Sequence, residues 1–492
     1  MNFATPINSF GSINLFGQSK TLIATLSLCL IATGCAQLPY QAKPLNPAQT
    51  SAKLINKDAS SDDFKAYLIK QGYAQKNLPF AEWGLDELTL CALYFNPKLD
   101  VAKAQLALAN LAVNTANQQQ RPTLSGRTAH SDLANHDKNP WAFGLEVEIP
   151  IETANKRQIK VEEAQHLQEV SRIDVADVAW QLRSQIAKDL LSYYENSAQQ
   201  KQLNNALTVQ NSLVALLEKR LKLGAASSTE LNAAKLLQQK AQFLSNMEQT
   251  KSAEIRAALA ADLGLSNEKF ALLHLKSLDI ESALSNAPST GNYQEKALLN
   301  RLDIRRSLSK YAAAESKIKL EIAKQTPDIS FSPGFAFEFG DSIWSLGFSS
   351  LLNLLNKNNA LNQSLVAEAT QLREIEGAQF EALQANVIAE VSQANTAYMA
   401  SQQNINQVKQ QLLAQQQYTQ KLQRQLDAGL IDRLDLTQNK LNTNLLEQQL
   451  INAQFQQLNA LLALENSVQL PLNAGTVSNT DNTVNDKTIK IQ

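Results

Sequence analysis

The sequence predicts a mainly α chain that carries part of a membrane β-barrel, built as two tandem repeats of a strand hairpin plus a long coiled-coil helical hairpin. Three observations predict it. Ala92, Pro122, Tyr193, Gly224, Lys235 and Leu265 recur as Ala297, Pro327, Tyr398, Gly429, Lys440 and Leu470, each 205 positions later, and a repeated unit is one that packs against copies of itself to bury its apolar face. Two stretches alternate large apolar residues with small or acidic ones at the period of a strand. The tracts between them are rich in Ala, Leu, Gln and Asn, and the 492 residues include only 16 Gly and 13 Pro, the composition of long helices broken in few places.

The N-terminus reads as an address. Lys20 precedes the apolar run Leu22 to Ala32, which has the length of a signal-peptide core and is too short to span a bilayer. Residues 1–34 are therefore expected to be removed. Ala32-Thr33-Gly34-Cys35 resembles the bacterial lipobox, which implies a diacylated Cys35 at the mature N-terminus. Ala36 follows it where Asp would retain a lipoprotein in the inner membrane, which favours the outer one. An ordinary secretory signal cut near the same place is the alternative. With Cys29 lost and Cys35 acylated, Cys91 stands alone, so packing and not disulfides must hold the fold.

Residues 35–87 read as a polar N-terminal segment, 88–287 as the first repeat, 288–470 as the second and 471–492 as a disordered tail rich in Asn, Thr and Asp. The first repeat opens with a helical pattern from Leu88 through Thr115, closed by Pro122. From Trp141 to Ile149 the odd positions are large and apolar and the even ones small or acidic. The second copy is cleaner: Ile329, Phe331, Pro333, Phe335, Phe337 and Phe339 oppose Ser330, Ser332, Gly334, Ala336 and Glu338, Gly340-Asp341-Ser342 turns the chain, and Trp344, Leu346 and Phe348 resume the apolar face. The opening strand of the first hairpin alternates less well, with Arg127 out of pattern.

From about Asn155 to Leu223 no Pro or Gly interrupts, a helix of about 100 Å at 1.5 Å per residue. Val175, Ala179, Leu182, Ile186, Leu190 and Tyr193 step by three and four as a coiled-coil seam, repeated by Leu383, Val387, Val391, Ala394 and Tyr398. Gly224 ends this helix as a C′ residue, and Ser227-Ser228-Thr229-Glu230 has capping-box spacing for a partner helix that runs to about Leu263. Gly429 and Asp432-Arg433-Leu434-Asp435 play the same parts in the second copy.

Strands of roughly ten residues with an apolar outer face suit a bilayer. Two hairpins give four strands, which cannot close a barrel, and an open edge in lipid leaves backbone groups unpaired. Several chains must share one barrel. The small residues Ser330, Gly334, Ala336, Gly347 and Ser349 on the inner face favour an open lumen and hence three or more chains; a soluble sandwich with an aromatic core is the alternative.

These residues resemble the outer-membrane efflux channel family, of which TolC is the archetype. Ala297-Leu298-Leu299-Asn300-Arg301-Leu302-Asp303-Ile304 is similar to the family's Ala-Leu-x-x-Arg-Pro-Asp-Ile, with Leu302 in place of Pro, and Asn96-Pro97-Lys98-Leu99 holds the equivalent place in the first repeat. Thr326-Pro327-Asp328-Ile329-Ser330 resembles the family's helix-to-strand junction, and Gly429 with Asp435-Leu436 its helical-tip turn. Pro150 to Arg157 departs from the Asp-Leu-Phe-Gly-Arg form common in drug exporters. The resemblance implies a homotrimer with a twelve-stranded barrel in the outer membrane of a Gram-negative bacterium, above a helical tunnel through the periplasm. It implies a periplasmic adaptor docked at the tips, Gly224, Ala225, Ser227 and Glu230 with Gly429, Leu430 and Asp432, and an inner-membrane pump that supplies energy to a passive duct. Asp435 matches the position of a carboxylate ring that constricts the tunnel; its plainer role is to support a helix N-terminus. Glu146, Glu148 and Glu338 are expected to face the lumen and bias it toward cations.

The net charge of −1 gives no electrostatic footprint for nucleic acid. His130, Asp132, His136 and Asp137 fall in one polar turn, a weak metal signal; no metal or other cofactor is expected. No phosphate loop, nucleophile elbow or metal-ligand helix appears, so no catalytic residue is nominated. The competing reading is a periplasmic adaptor lipoprotein, which also carries a coiled-coil hairpin but has one hairpin flanked by soluble β domains.

Overall fold

The computed structural model describes residues 40–132, 139–285, 291–350 and 360–472, and its contacts divide the chain into Met1–Lys53 and Leu54–Gln492. Cys35, His136 and Asp137 lie outside the described residues. Of the first unit, residues 40–53 form an exposed stretch leading into a helix, α1 (Pro47–Ile55), whose first turn is capped by the Asn46 side chain accepting from the Ala48 N–H at 3.0 Å.

The second unit begins earlier in the core than its composition suggests. In α2 (Asp62–Lys70) Ser61 is the N-cap and Phe64 and Leu68 are buried. The Phe64 ring lies 5.2 Å from that of Phe95 and 5.3 Å from that of Tyr94, and buried Trp83 stacks at 6.5 Å. Residues expected to form a polar segment thus supply an aromatic core. Their aromatics sit in a short helix and loops, without the periodicity that marks a buried face. The helix expected from Leu88 through Thr115 is two, α3 (Leu85–Phe95) and α4 (Pro97–Ala116). Asn96 is extended because Pro follows it, and its side chain accepts from the Lys98 N–H at 2.9 Å as the cap of α4.

Four strands, β1 (Thr123–His130), β2 (Trp141–Ile151), β3 (Ile329–Glu338) and β4 (Asp341–Ser350), form one antiparallel sheet in the order β1-β2-β3-β4. The β2–β3 pairing joins the two repeats, with Leu145 opposite Phe335 and Ile149 opposite Phe331. The β3–β4 turn is the two residues Phe339 and Gly340, both at positive φ, with Glu338 opposite Asp341. The turn expected at Gly340-Asp341-Ser342 therefore sits one residue earlier, in the form whose twist matches a hairpin; the aromatic at Phe339 had disguised it as strand.

Each hairpin feeds a long helix, α5 (Lys156–Lys222) and later α11 (Ala360–Asp427). Each long helix turns back into a shorter one, α6 (Ser228–Leu263) and α12 (Arg433–Val468). Between α6 and β3 lie α7 (Asn267–Phe270) and α8 (Ile280–Ser285), then α9 (Tyr293–Asn300) and α10 (Leu302–Ala323), the second repeat's counterparts of α3 and α4. On the sheet side α4, α5, α10 and α11 pack in that order, and beyond them α6, α5, α12 and α11 do. The expected seams are where the packing is: Val175, Ala179 and Leu182 bury against Leu93, Leu99 and Ala102, and Val387, Val391 and Tyr398 against Leu461 and Leu464.

Candidate functional site

The sheet has two chemically distinct faces. Because side chains alternate and the register is in step across all four strands, Phe143, Leu145, Ile149, Ile151, Phe331, Phe335, Trp344, Leu346 and Phe348 share one face. That face is uncovered: Trp344 is 82% exposed, Phe348 70% and Leu145 60%. A contiguous apolar surface of this kind marks an interaction with lipid or protein. Among the described residues its two edge strands, β1 and β4, each have a partner on one side only.

The opposite face carries Glu146, Glu148 and Glu338, as the sequence places them, among Ser332, Gly334, Ala336, Ser345 and Gly347. Arg127 lies on it too, and its guanidinium donates to Glu338 at 2.8 Å across Gly144, which separates the two strands and has no side chain to obstruct the reach. The Glu146 carboxylate leans over β4, so that a Cβ at Gly347 would sit 3.9 Å from Glu146 Oε1. His130 Nδ1 lies 3.0 Å from Asp132, and among the described residues no group of three or more His, Cys, Asp or Glu is placed to hold a metal.

At the other end of the helices the two tips are built alike. Gly224 adopts φ +72° and Gly429 φ +70°. In the first, Gly224 N–H donates to Leu221 and Ala225 N–H to Arg220; in the second, Gly429 N–H donates to Leu426 and Leu430 N–H to Gln425. These paired bonds close a helix by satisfying its last carbonyls, and the left-handed residue between them favours Gly. Ser227 and Glu230 cap each other reciprocally at 3.1 and 2.9 Å, and the backbone N–H of Ser227 holds the Glu230 carboxyl below the usual carboxylate range. Asp432 caps the second partner helix by accepting from the Leu434 N–H at 3.3 Å.

Ala225, Glu230, Leu430, Asp432 and Asp435 are all exposed, Leu430 at 74%. The two tips also meet. Leu434 and Leu441 pack on Leu213, Val214, Leu217 and Leu231, and the Arg220 guanidinium pairs with Asp432.

No protein-family model matches the chain, and no curated protein matches it in sequence. Solved structures do. The outer membrane protein VceC from Vibrio cholerae is 20% identical, with a TM-score of 0.64 over 79% of this chain and 96% of its own. CusC, whose structures describe folding and transmembrane channel formation, is 17% identical with a TM-score of 0.66 over 88% of this chain and 99% of its own. The CmeC outer membrane channel of Campylobacter jejuni is 14% identical, with a TM-score of 0.61 over 88% and 93%. The chain has the fold of these outer-membrane channels.

Within this channel fold, sequence reading missed three polar residues. Arg127 looked like a break in a strand pattern and instead completes the polar face. Asp341, a turn residue by its sequence context, instead opens β4 directly opposite Glu338. Arg220 carried no signal, because its partner lies 212 residues away; only folding brings the repeats' tips together.

Proposed function

We propose that the protein is the outer-membrane channel of a tripartite efflux or secretion system, a passive exit duct coupled through a periplasmic adaptor to an inner-membrane pump. The observation that carries this reading is the open four-stranded sheet, apolar and exposed on one face, polar on the other, standing on long helical hairpins. An open edge in hydrocarbon costs several kcal/mol for each unpaired backbone group, so three copies join β4 to β1 of the next into a twelve-stranded barrel. The same closure brings the free flanks of α4 and α6 against α11 of the neighbour. Exposed Phe243 and Met247 on α6 and Leu413 on α11 are apolar surface for that contact.

In this assembly Glu146, Glu148 and Glu338 line the lumen and favour cations, with Arg127 offsetting one carboxylate per chain. The tips, Gly224, Ala225, Ser227, Glu230, Gly429, Leu430 and Asp432, receive the adaptor, and Asp435 narrows the tunnel entrance. Cys35 carries the lipid that anchors the mature N-terminus in the outer membrane of a Gram-negative cell.

The test is efflux by cells lacking the native gene and carrying variants. Ala225→Trp or Leu430→Arg abolishes export while the protein still reaches the outer membrane as trimers; normal export by both would remove the tips from the docking role. Loss of radiolabelled palmitate incorporation in Cys35→Ser checks the anchor.

A further inference from the structure

Pro150 to Arg157, the stretch that departs from the drug-exporter form, builds a cleft that a passive duct does not need. About 560 Å³ in volume, it lies between the connection from α4 to β1 and the passage from β2 into α5. Asn117, Gln119 and Gln120 line it from the first segment, Arg157 and Gln158 from the second. Ile149 and Ile151 line it too, and both belong to the uncovered apolar face of the sheet. The cleft is therefore polar at its helix end and apolar at its strand end.

Among the described residues three charged side chains line the cleft, and two of them are committed elsewhere. Buried Lys156 donates to the Thr326 carbonyl at 2.6 Å and to Asp328 at 2.7 Å. Glu152 accepts from Lys160 at 2.8 Å; its side chain is only 12% exposed, with Oε2 closed off from solvent, so its charge does not cancel the third. That third is Arg157, whose guanidinium has no ion-pair or hydrogen-bond partner among the described residues. The start of α5 adds to its field: Asn155, left-handed at φ +55°, makes no side-chain cap, whereas Ser227 and Asp432 cap α6 and α12. The wall is held from behind, where the Thr153 N–H donates at 2.9 Å to the same Asp328 that Lys156 grips.

We propose that the cleft binds the phosphate of a glycerophospholipid, with Arg157 and the carboxamides of Asn117, Gln119 and Gln120 on the headgroup and the acyl chains running along Ile149 and Ile151 onto the apolar face. A guanidinium among amide donors suits a phosphate, and the apolar strand end beside it requires that phosphate to carry hydrocarbon. This proposal rests on the sheet lying in a bilayer; the cleft then falls at the boundary on the helix side, the periplasmic leaflet, where basic pockets meet lipid headgroups.

Native mass spectrometry of the full chain in detergent, titrated with dioctanoyl phosphatidylglycerol, tests it, with dioctanoylglycerol and inorganic phosphate as the two halves of that lipid. The phospholipid saturates a single site per chain, dioctanoylglycerol does not bind it, and inorganic phosphate competes only weakly. Arg157→Gln binds about tenfold more weakly, as for loss of a charge-assisted contact. Gln158→Glu, a substitution that suits a helix start and so keeps the fold, sets a carboxylate at the cleft and weakens binding likewise. Arg172→Gln, further along α5 where Arg172 pairs with Glu169, binds as the wild type does. Dioctanoylglycerol binding as well as the phospholipid, or unchanged binding in both cleft variants, would overturn the site; inorganic phosphate competing as strongly as the phospholipid would overturn the lipid as its source of phosphate. The duct reading fails separately, by absence of trimers in the same spectra, because lipid is counted per chain.

Discussion

The two junctions where short helices meet the middle of the chain share a backbone and differ in chemistry. In the first, Pro97 starts α4 and Gly264 ends α6; in the second, Leu302 and Gln469 stand at those positions. Gly264 and Gln469 are both left-handed, at φ +72° and +53°, a conformation that costs a side chain roughly 1 kcal/mol or more. Pro97 has no N–H to satisfy, whereas Leu302 has one, and the Gln469 side chain accepts it at 2.6 Å. Asn96 reaches the α6 carbonyl of Asp262, while Arg301 reaches the α12 carbonyl of Ser467 at 2.8 Å. What the duplication preserved is the accounting of helix-end donors and acceptors, not the residues that perform it.

The comparison breaks hardest at Arg301, which is 9% exposed. Arg301→Ala leaves Asp303 and Glu390 without their cation and the Ser467 carbonyl without its donor, and should cost about 3 kcal/mol, read as a lowered thermal midpoint in detergent. Asn96→Ala removes one neutral hydrogen bond and should cost only about 1 kcal/mol. Equal losses would mean that the two junctions bear load alike.

Next come the glycines. Gly264→Ala adds both left-handed strain and a clash with the Phe95 carbonyl, and should cost about 3 kcal/mol. Gly224→Ala and Gly429→Ala meet nothing within 4 Å among the described residues and should each cost about 1 kcal/mol. Melting midpoints rank the three, and a tip variant as damaging as Gly264→Ala would show that φ alone sets the cost.

The smallest effect is the most specific. Gln469→Ala orphans the Leu302 N–H and should cost about 1 kcal/mol; in a Leu302→Pro background, where no N–H exists, that cost should vanish. A double-mutant cycle measures the coupling, and additivity would dissolve the Leu302–Gln469 pairing.

Much of this was legible in the sequence because repetition and period carry it. The 205-residue echo aligned Gly224 with Gly429, the heptad-like steps placed Val175 through Leu190 on one buried stripe, and alternation put Glu146, Glu148 and Glu338 on one face. What stayed hidden has no period. Phe64, Tyr94 and Trp83 converge from a short helix, a longer one and a loop. Arg183 pairs with Glu465 across repeats, at a separation of 282 residues. The Phe339-Gly340 turn hid inside an aromatic alternation, and the break at Asn96 was masked by a helical pattern that runs through Pro97 because Pro at a helix start is benign.

In the proposed assembly, one unit used twice supplies a third of a closed channel. Native mass spectrometry of the full chain released from outer membranes in detergent tests it most directly. The expected result is a single dominant species of three copies that resists dilution. A monomer or dimer as the dominant species would contradict it, since four or eight strands cannot enclose an open lumen.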